Sequence, residues 1–457
     1  MKTQALIQNH WRGLLTLGMA IVAYFFWLNL YPFALLWREQ MQLFLWNGDY
    51  LMERLAVPGG FARYLSEFLV QFFYDIRLGG LIMTLLIVTA QQLMWRLLLK
   101  ENLHPYYFLS FIPAVYLWYL IGDVSLLMTL PVTIVLMMAL LVILPQKRIP
   151  CLVSSLIAIP LGYWLLGPVI GWVILYNLRW QKEKSSHWST TLWIMAFIVL
   201  YLGLVLGSSW LVPYPLQELF QGVGYSVYGE TRLLYIVWLL GLIVIGLPYV
   251  GLLFHSVSKS IEWGGVVAVL LGALLLIPQG YREEDYEEIE YDVMLRMGLW
   301  LRIIKKSEQK EPKTVACMIT AKYAQWREGQ QAQMEMDPSW LNPKVVMNSQ
   351  PSAFTASELY FQMGMVRMSQ RAAFEAMEAV YCNKSGRALR RLAETALITG
   401  EDEVASKYLS ILEETLYYRK WAHEMRQYLG HPELLETHPT YGRLQDYYLH
   451  EEDRLFY

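Results

Sequence analysis

At 457 residues the chain is long enough for more than one domain, and its 56% hydrophobic residues and mean hydropathy of +0.31 set it apart from ordinary soluble proteins. A net charge of −2 and a pI near 6.5, with no concentrated basic block, exclude nucleic acid as the principal partner. Three scattered cysteines, Cys151, Cys317 and Cys382, exclude a disulfide framework or a zinc site, and spacing leaves open whether Cys317 and Cys382 pair.

The first apolar run, Leu14 to Trp37, is longer than the apolar core of a signal peptide, and no small-residue cleavage pattern follows it. It is expected to stay as a membrane anchor. Further runs at 78–99, 106–121, 124–144, 151–166, 169–180, 191–211, 233–254 and 264–277 approach the length that crosses roughly 30 Å of hydrocarbon, for nine candidate spans in all. Gly167-Pro168 leaves it open whether 151–166 and 169–180 are two spans or one broken element.

Between the first two runs lies an amphipathic loop, 38–77. After the break at Pro58-Gly59-Gly60, Phe61, Leu65, Phe68, Leu69, Phe72 and Phe73 recur at helical spacing, with Arg63, Glu67 and Gln71 opposite. Such a helix is expected to lie in the membrane interface with its apolar side down. Upstream, Asn47-Gly48-Asp49 has turn chemistry, and Trp37, Trp46 and Tyr50 are the aromatic type that headgroup belts favour.

Lys2, Arg12, Arg96, Lys100, Lys147, Arg148, Arg179, Lys182, Lys184 and Lys259 fall on one side of the expected membrane. The other side has Arg38, Arg54, Arg63 and Arg77, all in the long first loop, and Arg232, while the connections at Gly122-Asp123 and Gly167-Pro168 carry no cation. By the positive-inside rule the N-terminus is expected in the cytoplasm, with the amphipathic loop and the C-terminal part outside.

Composition changes at Pro278, where the last apolar run gives way to an acidic stretch, Glu283 to Glu290. That stretch reads as a solvated helix face, with Tyr286, Ile289 and Val293 as the packing side. The expected organisation is a transmembrane domain, 1–280, and a soluble helical domain, 281–457, so the fold class is all-α: a polytopic bundle followed by helical repeats. Gly329, Gly364 and Gly400 stand 35 and 36 residues apart, close to the roughly 34-residue tetratricopeptide period, and the unit with Leu392-Ala393, Ala396, Gly400, Ala405 and Leu409 fits it best.

No phosphate loop, metalloprotease, nucleophile-elbow or paired-cysteine signature is present. His431 and His438, in a proline-flanked tail, read as ordinary surface histidines rather than metal ligands. The acids are more informative, because an ionisable group near a membrane boundary must find water, a partner or a substrate. Asp49 leads, Glu39 and Glu53 share its loop, and Asp123 lies between the third and fourth runs. The structural alternative is that Glu53 pairs with Arg54 and that Asp123 caps the next helix.

This arrangement of one span, a long amphipathic loop with an acid, and further spans with a second acid at Asp123 resembles the C-type membrane glycosyltransferases. The resemblance implies transfer of sugar from a polyprenyl-phosphate-linked donor on the outer face, with Asp49, or else Glu39, as general base. Asp123 would then be its partner at the lipid phosphate, and a divalent cation would be a candidate cofactor. The chain lacks the D-x-D pair of that family's metal-dependent members. The segments P-G-G-F-A-R-Y-L-S-E-F-L-V-Q-F-F-Y, A-E-T-A-L-I-T-G and T-L-Y-Y-R-K-W-A resemble more closely an uncharacterised family of bacterial polytopic membrane proteins, which implies an inner-membrane location. Two functions stand side by side: such a transferase or its descendant, and a non-enzymatic scaffold in the bilayer whose helical repeats bind a protein or peptide. A transporter is less well matched, since no repeated half is evident.

Overall fold

The computed structural model describes residues 2–182, 187–227, 232–253, 258–330, 346–347, 349–378 and 384–450. Among them every regular element is helical, apart from one isolated bridge between Leu126 and Ser226. The chain divides into two compact units. One comprises Met1–Tyr31, Gly48–Phe72 and Arg77–Tyr281; the other comprises Pro32–Asn47, Phe73–Ile76 and Arg282–Tyr457.

In the first unit the nine apolar runs do not become nine straight spans. Five described helices are long and apolar enough to cross a bilayer: Trp11–Leu30, Ile76–Lys100, Arg148–Leu166, Trp188–Ser208 and Lys259–Gly280. Thr129–Ile143 and Tyr235–Tyr249 are shorter apolar stretches. The run at 106–121 splits into a 3-10 segment, His104–Ser110, and an 11-residue helix, Phe111–Ile121. The run at 169–180 breaks into Pro168–Gly171, Trp172–Asn177 and Leu178–Lys182, none longer than six residues. Residues 168–174 are buried, the setting in which irregular backbone is tolerated at membrane depth. Apolar composition thus marks burial here without distinguishing lipid from protein as the surroundings.

The helix His187–Ser208 shows how both surroundings are met at once. Ile194, Phe197, Tyr201 and Val205 are buried, while Leu192, Met195, Val199, Leu202 and Leu206 stay exposed on the other side. Trp188 and Trp210, 85% and 91% exposed, bracket the span where aromatic belts form.

The two sequence breaks meet. Gly59, at φ +80°, donates its N–H to Trp164 O at 2.9 Å, and Trp164 Nε1 donates to Leu55 O at 2.8 Å. A Cβ on Gly59 would touch Gly167 Cα at 3.5 Å, and one on Gly60 would sit 1.8 Å from Arg54 O. In the helix that follows, Gly60–Val70, Phe61 is exposed and Leu65, Phe68 and Leu69 are half-buried, while Ala62, Val70 and the polar side are buried; Phe73, expected on the outward apolar side, is buried as well. Glu67 accepts from Arg54 Nε at 2.7 Å, Arg63 Nε at 3.0 Å and Tyr50 Oη at 2.6 Å. Pairing explains the burial, because isolated charges could not leave water at acceptable cost.

In the second unit, consecutive helices Gln350–Gln362, Val366–Glu378, Gly386–Thr399 and Asp402–Glu413 pack on one another through short connections. The periodic glycines turn out to be helix stops. Gly329, Gly364 and Gly400 have left-handed φ, and the N–H after each bonds to the carbonyl five residues back, at 2.9, 2.8 and 2.8 Å. Gly298 repeats the geometry, Leu299 N to Met294 O at 2.9 Å, and extends the series by one member. The acidic helix Glu283–Arg296 buries Tyr286, Ile289 and Val293 as its pattern predicts, but Glu287, Glu288 and Asp292 are buried as well. Cys317 lies buried in Val315–Arg327, and Cys382 falls outside the described residues.

Candidate functional site

The second unit contains a cleft of about 420 Å³ lined by charged and phenolic side chains. One wall is the helix Gly386–Thr399. Its Arg387, Arg390, Arg391 and Glu394 are spaced 0, 3, 4 and 7, so they form a single stripe, while Ala388, Leu389, Leu392, Ala393 and Ala396 are buried. Glu358 comes from Gln350–Gln362, and Arg296 ends Glu283–Arg296, where the helix dipole favours a cation. Glu39 comes from Pro32–Met41, a helix buried from Ala34 to Met41. Tyr418 completes the lining, and its ring fills the space that a Cβ on Gly386 would occupy, at 2.5 Å from Cε2.

Most of these charges are already paired. Arg387 is held by Asp292 in a two-bonded fork at 2.6 and 2.8 Å, and it also donates to Gln40 Oε1 at 3.1 Å. Arg391 donates to Glu358 at 2.6 Å and Arg390 to Glu394 at 3.1 Å, while Tyr441 Oη also donates to Glu394, at 3.0 Å. Burial would push the Glu358 carboxyl up, but the guanidinium groups of Arg391 and Arg387 outweigh it and hold it at about 2.

Glu39 is different. It is 7% exposed and accepts from the Tyr418 hydroxyl at 3.2 and 3.3 Å. Burial pushes its carboxyl up to about 7, against the opposing pull of Arg296, the Tyr418 hydrogen bond and Arg387. Carboxyls shifted by burial and facing a cleft cluster at binding and reacting sites, which marks this cleft as the candidate.

The three acids to which the resemblance gave catalytic roles have separate fates. Glu39 belongs to the second unit and lines the cleft. Asp49 and Asp123 belong to the first unit and do not line it. Asp49 is exposed in the first turn of Gly48–Leu55. Asp123 accepts from Ser125 N at 3.0 Å and Ser125 Oγ at 2.7 Å, and it pairs with Arg232 at 2.7 Å. Glu53 pairs with Arg54 at 2.8 Å, the structural alternative the sequence offered. His438 stacks on Tyr441 and His431 contacts Glu433; among the described residues no cluster of three or more His, Cys, Asp or Glu could hold a metal ion.

Sequence reasoning passed over Arg296, Glu358, Tyr418 and the arginine stripe. The stripe was readable, since R-A-L-R-R-L-A-E places four charges on one side of a helix. Its partners come from segments 292, 358 and 418, and nothing local in the sequence relates those to it.

The chain belongs to the family of unknown function DUF6057, whose pattern matches residues 7–457. No curated protein and no solved structure matches it, so neither the glycosyltransferase resemblance nor the tetratricopeptide one gains support from these comparisons.

Proposed function

We propose that this member of the DUF6057 family is a membrane-anchored binding protein whose helical second unit carries the ligand site. One observation carries the reading: the charged cleft is built wholly from residues of that unit, whereas Asp49 and Asp123 do not line it. Paired helices stacked in series are a common way to present such a surface. Five apolar helices supply the anchor. Their flanking cations favour a bacterial inner-membrane orientation with the N-terminus in the cytoplasm and the second unit outside. A photoreactive residue placed at Tyr74 or Met297, both at the cleft and both 47% exposed, tests the idea in cells. Adducts of discrete mass are expected there and not at the exposed control Leu434, which does not line the cleft. Adducts confined to span positions such as Leu274 would remove the reading.

A second reading is group transfer, the glycosyltransferase expectation with its base moved from Asp49 to Glu39. It is favoured by the Glu39 carboxyl, whose affinity for protons near neutrality suits a general base. Turnover of a lipid-linked sugar that is lost in Glu39→Gln and kept in Asp49→Asn would establish it. Loss in Asp49→Asn with full activity in Glu39→Gln would return the role to the first loop's other acid.

A further inference from the structure

Charge in the cleft can be counted helix by helix. Arg387 is matched by Asp292, Arg391 by Glu358 and Arg390 by Glu394. Two lining charges are left over, Glu39 and Arg296. Arg296 acts on Glu39 through space, but among the described residues its guanidinium makes no hydrogen bond or ion pair. The remaining titratable neighbours of Glu39 are the phenols Tyr418 and Tyr417 with Tyr74 and Asp75. Tyr418 and Tyr417 are neutral at ordinary pH, burial raising both further. Asp75 does not line the cleft, and the lining taken together with Asp292 is neutral when Glu39 is ionised and carries one excess positive charge when Glu39 is protonated.

We propose that the cleft binds a singly charged phosphate ester at Arg296, and that Glu39 takes up a proton as the anion enters. Protonation converts Glu39 from an acceptor into a hydrogen-bond donor, so an anion between the two residues would meet a carboxylic O–H as well as a guanidinium fork. Both a carboxylate and a phosphodiester offer two charged oxygens to the fork, but the tetrahedral phosphodiester also sends out two ester arms where a carboxylate has one substituent, and so fills more of a cavity of about 420 Å³. Proton and anion are then linked reciprocally: each tightens the other. The inference rests on the reading of this cleft as the ligand site, and it specifies the ligand's chemistry.

The test uses the full-length protein in a maltoside detergent, free of phosphate, titrated with dimethyl phosphate, whose single charge is constant across the range. Binding is expected to be about tenfold or more tighter near pH 5.5 than near pH 8.5, since ionised Glu39 must be neutralised first. Glu39→Gln should bind with nearly equal affinity at both pH values, Arg296→Gln should lose binding at both, and Arg296→Lys should recover part of it. Equal wild-type affinity at the two pH values, or undiminished binding by Arg296→Gln, would overturn the proposal. So would acetate that binds as well as dimethyl phosphate. Competition by phosphatidylglycerol micelles but not by water-soluble glycerophosphoglycerol identifies a lipid headgroup as the source, and the reverse identifies a soluble ester; competition by neither overturns the ester class. Adducts at Tyr74 and Met297 without phosphate binding would overturn this inference and leave the proposed function standing, while adducts confined to the spans together with no phosphate binding would remove both.

Discussion

The Tyr418 hydroxyl donates to both carboxylate oxygens of Glu39, at 3.2 and 3.3 Å, across 379 residues of sequence. Glu39 is nonetheless raised to about 7 because burial outweighs this bond and the nearby arginines. The folded protein therefore binds a proton at Glu39 that the unfolded chain, with an ordinary carboxyl, has already released. Stability should fall as pH rises from about 4.5 to about 7 and then level off, a loss of about 3 kcal/mol from this group. In Glu39→Gln this part of the pH dependence of the Tm should vanish. Tyr418→Phe, which removes a bond that favours the ionised form, should move the midpoint to higher pH.

Glu358 should act in the opposite sense. Held at about 2, it contributes stability above the ordinary carboxylate range that is lost as pH falls toward that value. Acid unfolding of the full chain followed by tryptophan fluorescence should shift to higher pH in Arg391→Gln, which removes the main group that depresses the Glu358 pKa.

Arg387→Met should be costly. It leaves Asp292, which is completely buried, without the fork that neutralises it, and breaking a buried pair from one side costs about 3–5 kcal/mol. The double variant Asp292→Leu/Arg387→Met should recover much of the Tm lost by the single one. Additive losses would show that the pair is not a coupled unit.

Gly60→Ala and Gly203→Ala should part company. A Cβ at Gly60 would meet the Arg54 carbonyl, and relieving that overlap should cost about 2–3 kcal/mol in thermal stability. Gly203 lies in a span helix with nothing within 4 Å, so alanine there should be neutral or stabilise by about 0.5–1 kcal/mol.

Orientation can be checked with reporter fusions. Extracytoplasmic reporter activity after Tyr457 and protection of Lys147 from an impermeant label in intact cells are the expected results. A cytoplasmic reporter with a labelled Lys147 would reverse the proposed orientation.

Helical periodicity and the Pro-Gly breaks were legible in the sequence because they are local: 3.6-residue spacing, left-handed glycines and proline interruptions act within a few residues. The span count was not, because Val169 to Ile174 are as apolar as a lipid-facing run yet are buried by protein in short segments. Glu39 was legible as a candidate acid in the first loop. That it accepts from Tyr418, and that its neighbour Gln40 accepts from Arg387, was not, since those contacts cross more than 300 residues and leave no mark in local pattern. Arg63 and Glu67 were read as the polar side of an interfacial helix; the pairing of Glu67 with both Arg54 and Arg63, which allows that side to be buried, depends on the turn at Gly59.

The joint between Leu55, Gly59 and Trp164 also bears on the order in which the protein can be made. Leu55 and the indole that bonds to it are 109 residues apart. At a synthesis rate of about 5–20 residues per second, the first loop waits roughly 5–20 s after it is translated before its partner exists. During that interval the carbonyl of Leu55 and the N–H of Gly59 must be satisfied by water or lipid headgroups. The amphipathic helix, with Phe61 outward, can hold the unfinished loop at the membrane surface until Trp164 arrives.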